Sequence, residues 1–250
     1  MTFVYDFDFA SLNSTTTKID AQNDAEVTFQ FPLDPSGVLS AGEELESDAV
    51  NNETRLVSLG DGPIQWMAGS FYSDTEFTND QYTSSPLLPP STQVFKSESL
   101  SVFGEASLEL MDGKLIPLVG VRYFEDDRET ESTAFGGWSD KDTFDSVNPR
   151  FNLTYSPTLD SMYYLNIAKG YRSGGFNNPI VCSLAVDSGL PCERSVDSDE
   201  LWSYEIGTKL TLADNQIVLE VALYYQDWKD VRQGIATSGF FNDYQIGDGK

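Results

Sequence analysis

The feature that most constrains this chain is a set of long runs in which apolar and polar side chains alternate at every second position. Val102, Gly104, Ala106, Leu108 and Leu110 fall on one side of such a run, and Ser101, Phe103, Glu105, Ser107 and Glu109 on the other. Leu115, Pro117, Val119, Val121 and Tyr123 form the next apolar side, with Arg122 opposite. Asn148, Arg150, Asn152 and Thr154 alternate with Pro149, Phe151, Leu153 and Tyr155. Ser203, Glu205, Gly207, Lys209 and Thr211 alternate with Trp202, Tyr204, Ile206, Thr208, Leu210 and Leu212, and Ile217, Leu219, Val221, Leu223 and Tyr225 with a mixed set that includes Glu220 and Gln226. Period two marks strands with one apolar and one polar face. No segment carries a convincing helical period, so the expected fold class is all-β.

The spacing of turn residues says how these strands connect. Short turns are expected at Ala10-Ser11, Gly60-Asp61-Gly62-Pro63, Met111-Asp112-Gly113-Lys114, Ser156 to Asp160 and Leu212 to Asn215, most of them rich in Gly, Asp, Asn or Pro. Long polar excursions at roughly 21–50, 75–94, 125–146, 172–198 and 230–240 are expected to be loops. The chain therefore reads as hairpins of long strands, with short turns at one end and long loops at the other. Soluble β-sandwiches place turn signals about every 8–12 residues. Transmembrane barrels instead pair short turns on one side with long loops on the other, and closure satisfies every backbone group in lipid. An antiparallel transmembrane β-barrel is the expected architecture. There is no apolar stretch of about 18 residues that would make a transmembrane helix, and the residues after Met1 lack the basic start of a signal peptide.

Aromatic residues support this architecture by position. Trp66, Tyr155, Tyr163 and Tyr164 lie near the short turns, and Tyr123, Phe124, Trp202, Tyr204, Tyr225 and Trp228 toward the long loops, where interfacial girdles belong. The alternative is that they pack a soluble sandwich core. Glu105, Glu109, Arg122, Arg150, Glu205, Lys209 and Glu220 interrupt the alternating runs. Unpaired charges would be costly in a dry core, and are accommodated in a wet or plugged lumen.

Composition narrows the chemistry. The 250 residues hold 40 acidic and 15 basic side chains, a formal net charge of −25, and no histidine. Histidine-based triads, HExxH metal sites and His-ligated zinc or haem are excluded. The acidic balance argues against a nucleic-acid partner. No catalytic set, cofactor site or resident metal site is expected. Gly170, Gly174 and Gly175 lack phosphate-loop spacing. Asp197, Asp199 and Glu200, and the acids Glu125, Asp126, Asp127 and Glu129 around Arg128, are expected to be solvated loop carboxylates rather than calcium ligands. Cys182 and Cys192 form either a local loop disulfide, as an oxidising compartment would favour, or two free thiols.

Several segments resemble the TonB-dependent outer-membrane receptors. Tyr163-Tyr164-Leu165-Asn166-Ile167-Ala168-Lys169-Gly170-Tyr171-Arg172-Ser173-Gly174-Gly175-Phe176-Asn177 resembles that family's Y-A-x-x-S-K-G-Y-R-S-G-G-F-N signature. Ser203-Tyr204-Glu205-Ile206-Gly207-Thr208-Lys209 resembles its S-Y-E-x-G-x-K strand, and Tyr224 to Val231 is similar to the strand that follows. Ser101-Val102-Phe103-Gly104-Glu105 resembles S-x-F-G-E, Gly120-Val121-Arg122-Tyr123 resembles G-x-R-Y, and Glu53 to Leu56 with Trp66 to Tyr72 resembles E-x-R-L with W-x-x-G-x-F-Y. The motifs keep the family's order over roughly residues 50–235.

The resemblance implies a barrel of about 22 strands, filled by an N-terminal plug. It implies import of iron–siderophore complexes or similar scarce solutes, powered by the TonB complex. Residues 1–250 are expected to be a partial, internal piece of the barrel domain, contributing about ten or eleven strands, without plug or TonB box. Such a piece has two open edges, which lipid does not tolerate. Expected partners are outer-membrane lipid and lipopolysaccharide, the plug, the TonB complex and a small ligand such as a ferric siderophore. The expected location is the outer membrane of a Gram-negative bacterium. Ligand-contact candidates are the loop residues Tyr82, Phe135, Trp138, Arg172, Phe176, Phe240 and Phe241. Competing readings are a passive channel, a structural or adhesive barrel, or a secreted carbohydrate-binding β-protein.

Overall fold

A computed structural model describes residues 1–30, 38–84, 89–187, 189, 191–237 and 240–250, without the side chains of 29, 30, 38, 39, 135, 235–237 and 240–242. The strands in chain order are β1 (Thr2–Asp6), β2 (Ala10–Gln30), β3 (Val38–Ser58), β4 (Ile64–Thr83), β5 (Ser91–Leu108), β6 (Leu115–Ser132), β7 (Trp138–Thr158) and β8 (Ser161–Arg172). After β8 the chain forms β9 (Gly175–Phe176), the helix α1 (Pro179–Asp187) and β10 (Ser195–Val196). It then returns as β11 (Asp199–Leu212), β12 (Ile217–Lys229), β13 (Arg232–Thr237) and β14 (Phe240–Gln245).

Ten strands build one antiparallel meander in the order β1-β2-β3-β4-β5-β6-β7-β8-β11-β12. The sheet is open, with β1 and β12 as its edges. Its ladders run without slip except at the foot of β7 and β8, where a register shift lies between Tyr155 and Thr158. Because the register is constant, the period-two pattern stays in phase from strand to strand and defines two continuous faces. The outer face carries Val102, Val121, Tyr155, Ile206 and Leu223, all exposed in the isolated sheet. The inner face carries Phe103, Glu105, Arg122 and Arg150, through the pairings Phe103↔Arg122 and Gly120↔Arg150.

The apolar outer positions occupy a band next to the short turns: 100–108, 115–123, 147–155, 204–212 and 217–225. Each span suits the roughly 9–11 residues that a tilted strand needs to cross a bilayer core. On β2 and β3 the outer positions at this height are instead Ser14, Thr16, Asn52 and Thr54. They hydrogen-bond to one another: Ser14 Oγ to Thr54 Oγ1 at 2.9 Å, Asn52 Nδ2 to Thr16 Oγ1 at 2.9 Å, and Thr54 Oγ1 to Asn52 Oδ1 at 3.2 Å. Mutual pairing is what keeps such groups affordable beside hydrocarbon.

Four expectations are corrected. Apart from 172–198, the excursions expected as loops are mostly strand: β2 and β3 are 21 residues each and pair out to Gln30↔Val38, and 125–132 and 138–146 extend the β6–β7 ladder. A 21-residue strand is roughly 70 Å long, far more than the bilayer core requires. The extensions look loop-like in sequence because water bathes both faces, so no apolar alternation is needed there. The first turn lies at Phe7–Phe9 and not at Ala10-Ser11, which open β2. One helix, α1, also exists. It is only 9 residues long, too short for its period to stand out. Its start is nonetheless specified: the Asn178 side chain accepts hydrogen bonds from the backbone N–H groups of Ile180 and Val181 at 3.0 and 3.3 Å, with Pro179 at the first helical position. Finally, three of the expected girdle aromatics face inward. Tyr164 donates its hydroxyl to Glu205, Phe124 lies by Arg122, and Trp228 lies under Arg172. Tyr155 and Tyr163 stack at the turn side, and Trp202, Tyr204 and Tyr225 cluster at the other edge of the band.

Among the described residues no helix is long and apolar enough to cross a membrane, which says nothing about crossing by strands.

Candidate functional site

The buried polar positions lie almost all in the outer extension: Ser99, Asp126, Thr130, Ser132, Ser146, Asn177 and Asp199. They hold together the mouth of the sheet, where the segment between β8 and β11 meets the β13–β14 hairpin. Past Ala168, β8 leaves β7, and the chain turns inward through Ser173-Gly174-Gly175. At Gly174 an added Cβ would overlap the Phe144 ring and the Val196 carbonyl, so only glycine permits this approach. The Phe176 and Phe144 rings then meet at 6.3 Å.

Arg172 is the hinge of the network. Its guanidinium pairs with Asp199 through Nη2 and through Nε at 3.1 Å, donates to the Arg232 carbonyl at 2.8 Å, and lies 5.7 Å from the Trp228 ring. Asp199 also accepts the Arg232 backbone N–H at 3.2 Å. Burial alone would raise the Asp199 carboxyl, but Arg172 and the Arg232 N–H outweigh it and hold this group below the ordinary carboxylate value of 3.8. The Arg172 guanidinium is correspondingly raised by its hydrogen bond to Asp199.

Arg232 donates to the Ser173 carbonyl at 3.0 Å and pairs with Asp243 at 3.6 Å. Burial lowers the Arg232 guanidinium. Arg128 donates to the Gly174 carbonyl and pairs with Asp126 at 3.6 Å, and Ser97 Oγ donates to Asp126 at 2.6 Å. Asn177 donates to the carbonyls of Glu193 and Asp243 at 2.8 Å each and accepts the Asp243 N–H at 2.7 Å. A disulfide joins Cys182 in α1 to Cys192, with their Cα atoms 5.3 Å apart.

Two of the acids expected to be solvated, one in each group, are therefore corrected, while Asp197, Glu125 and Asp127 are exposed as expected. Asp199 is buried because Arg172 neutralises it, and Asp126 is buried between Ser97 and Arg128. No group of His, Cys, Asp and Glu side chains arranged to hold a metal occurs among the described residues.

Among the described side chains, the candidate contact residues do not form one site. Arg172 and Phe176 belong to the mouth network. Tyr82, near the end of β4, is exposed and leans across Gly42, where a Cβ would overlap its ring. Trp138 opens β7 with its indole N–H buried and lacking an acceptor among the described residues. The side chains of Phe135, Phe240 and Phe241 lie outside the described residues. Sequence reasoning missed Asn177 and Arg232 as organisers. The glycine pair before Asn177 was the available signal for a sharp inward turn, whereas Arg232 had none.

Deeper along the inner face the charges pair across strands: Arg150 with Glu105 at 3.6 Å, Lys209 with Glu220 at 3.4 Å, and Arg55 with Glu53 at 2.6 Å along β3. Arg55, Arg150, Glu53, Glu105 and Arg122 share a cavity of about 570 Å³ with Phe71 and Phe103. The wall thus combines charge, aromatic surface and water access, which suits passage or binding of a polar solute.

The family model described as TonB dependent receptor-like, beta-barrel matches residues 2–250. The pesticin receptor of Yersinia enterocolitica is 27% identical over 208 residues, which is 79% of this chain and 29% of that protein, and its Yersinia pestis counterpart is 26% identical over the same length. The chain therefore spans under a third of these relatives. Among solved structures, the ferric yersiniabactin uptake receptor FyuA of Yersinia pestis superposes with a TM-score of 0.71 at 23% identity, over 92% of this chain and 35% of that one. The siderophore receptor PiuA of Acinetobacter baumannii does so with 0.68 at 14%, over 99% and 41%. Sheet, register and family model agree: the chain belongs to the TonB-dependent receptor-like β-barrel family.

Proposed function

We propose that this chain forms part of the barrel wall of a Gram-negative outer-membrane receptor that imports ferric siderophores or a similarly scarce solute. The observation that carries this reading is the two-faced sheet, with an apolar outer band and a charged, aromatic-bearing inner wall. An open sheet leaves the backbone groups of β1 and β12 unpaired, which hydrocarbon penalises. The working barrel therefore closes with strands beyond this chain. Lipid and lipopolysaccharide meet the outer band, a plug occupies the inner wall, and the TonB complex acts through that plug.

The family is one of receptors and transporters rather than enzymes. In this reading Tyr82, Phe135, Trp138, Phe176, Phe240 and Phe241 supply separate ligand contacts along the loop side of the barrel, and Arg172 holds the mouth in shape. The support for iron cargo is the cargo printed in the names of the similar structures. Deleting the full-length gene in its host tests it. Growth on one or more ferric siderophores is expected to fail while growth on sugars and cobalamin is unchanged. Normal growth on every iron source would refute it.

A further inference from the structure

β7 and β8 part company above the apolar band. They pair as far as Arg150↔Ala168, and beyond that level β7 stays paired with β6 alone, from Trp138 to Pro149. Pro149 marks the parting, because a proline has no N–H to make the next ladder bond. Two contacts set the phase of β7. The Ser156 N–H goes to the Lys114 carbonyl, just before β6, at 2.7 Å, and the Thr143 N–H goes outside the ladder to the Asp142 carboxylate at 2.9 Å. Alternation in an antiparallel ladder therefore turns the main-chain groups of the even residues toward β6. Those of Ser139, Lys141, Thr143, Asp145 and Val147 turn toward the side that β8 has left. There they make no backbone hydrogen bond to any described residue.

This gap lies inside the sheet. Both flanking strands belong to the chain, and the edges where further strands would close the barrel are β1 and β12. A plug would meet the inner face, whereas these groups point along the sheet. The segment before β11 approaches β7 only through inner-face side chains: Arg194 pairs with Asp140 at 2.7 Å, and Ser195 Oγ donates to Asp142 at 3.3 Å. Ser139, Lys141, Thr143, Asp145 and Val147 are all exposed.

We propose that the open edge of β7 from Ser139 to Val147 takes an extended, lysine- or arginine-rich segment of a partner protein as an added strand. The edge is roughly 27 Å long, and a row of unpaired main-chain groups is a template for pairing. Charge selects the occupant. The outer face beside the edge carries Glu125, Asp127, Glu129 and Glu131 on β6 and Asp145 on β7, with Lys141 as the basic exception. Asp142 guards the centre by occupying the Thr143 N–H, and a cationic side chain on the incoming strand draws that carboxylate away. A second copy does not fit. Two copies in one membrane are related by rotation about its normal, which sets equivalent edges side by side in the same direction, donor facing donor. The inference goes beyond the importer reading and is independent of the cargo.

The test uses the full-length protein that carries this chain, purified in detergent. The probe is a synthetic peptide of about ten residues alternating lysine and valine, long enough to line the edge. Its controls are the same peptide N-methylated at alternate amides, which keeps the charge but removes donors, and a version with glutamine in place of lysine. The lysine peptide is expected to bind, and each control to bind at least about fivefold more weakly, the effect of losing one hydrogen bond or its charge assistance. Lys141→Pro is expected to weaken binding about fivefold relative to Lys141→Gln, since the two lose the same charge and only the proline loses the edge N–H. Proline is tolerated at an edge position whose N–H faces outward. Without peptide, the amides of Lys141, Asp145 and Val147 are expected to exchange faster than those of Phe144 and Ser146, and the peptide to slow them.

No binding of the lysine peptide, or equal binding of the N-methylated one, would overturn the proposal. Equal binding of the glutamine peptide would overturn the basic partner. Edge amides already protected without peptide would mean that another part of the full-length protein fills the gap, and would overturn it as well. Should Lys141→Pro fail to fold, the N-methylated peptide decides the same point on the unaltered protein.

Discussion

Val121 and Glu131 stand on the same outer face of the same strand, β6, and both are exposed. Val121 lies in the band near the short turns, where outer neighbours are Val119, Tyr123 and, across the ladder, Gly104 and Pro149. Glu131 lies in the extension, opposite Val94 and Ser139. The backbone is the same antiparallel ladder in both places, so hydrogen bonding does not distinguish them. Their surroundings do. In the band, apolar exposure is stabilising because hydrocarbon replaces water. In the extension the sheet is solvated, and it is held by polar contacts that bury Asp126, Thr130, Asn177 and Asp199.

The largest expected effect comes from placing the same charge at both positions. Val121→Arg in the full-length protein should cost about 2–4 kcal/mol of folding stability in lipid, while Glu131→Arg should stay within about 0.5 kcal/mol. Equal costs, measured by denaturant titration in vesicles, would break the contrast.

Arg172→Ala comes next. It leaves Asp199 buried with only the Arg232 N–H to hold it, and should cost up to about 3 kcal/mol, the lower end for a broken buried pair, because Arg172 is itself half-exposed. Hydrogen exchange should quicken in 173–198 and 230–245 and stay unchanged in the band. Replacing Cys182 and Cys192 together by serine removes a cross-link over a sequence separation of 10. The expected loss is about 2–3 kcal/mol in a chain-entropy account, confined to α1 and the residues before β10, as limited proteolysis would show.

The smallest effect is that of pH. Asp199 is held below its ordinary value of 3.8, so its contribution is complete above that value and is lost only as pH falls through the lower folded value. Protection at the mouth, after correction for the intrinsic pH dependence of amide exchange, should be flat from about pH 8 to 5 and fall below about pH 4, whereas loosening already near pH 6 would contradict the assignment.

The same contrast explains what the sequence revealed. The alternation from Val102 to Leu110 and from Ile217 to Tyr225 marked β5 and β12 because one face of each must be apolar. Residues 21–50 concealed two strands because neither face must be. At the mouth, Arg172 and Phe176 were visible as residues of a glycine-rich turn, but Asp199 read as one acid among many. Its burial depends on Arg172 and Arg232, which reach it from other segments, and no local pattern encodes that meeting. The inward aromatics Phe71, Phe103 and Phe124 sat in sequence as breaks in period, and only the register showed that Arg122 lies among them.

Nitroxide labels placed one at a time from Val119 to Glu131, in the full-length protein in vesicles, test the two-environment account most directly. Val119, Val121 and Tyr123 should show high access to oxygen and low access to a water-soluble nickel chelate, with period-two minima of oxygen access between them. Asp127, Glu129 and Glu131 should show chelate access and no oxygen maximum. Chelate access at Val121 equal to that at Glu131 would contradict a lipid-facing band.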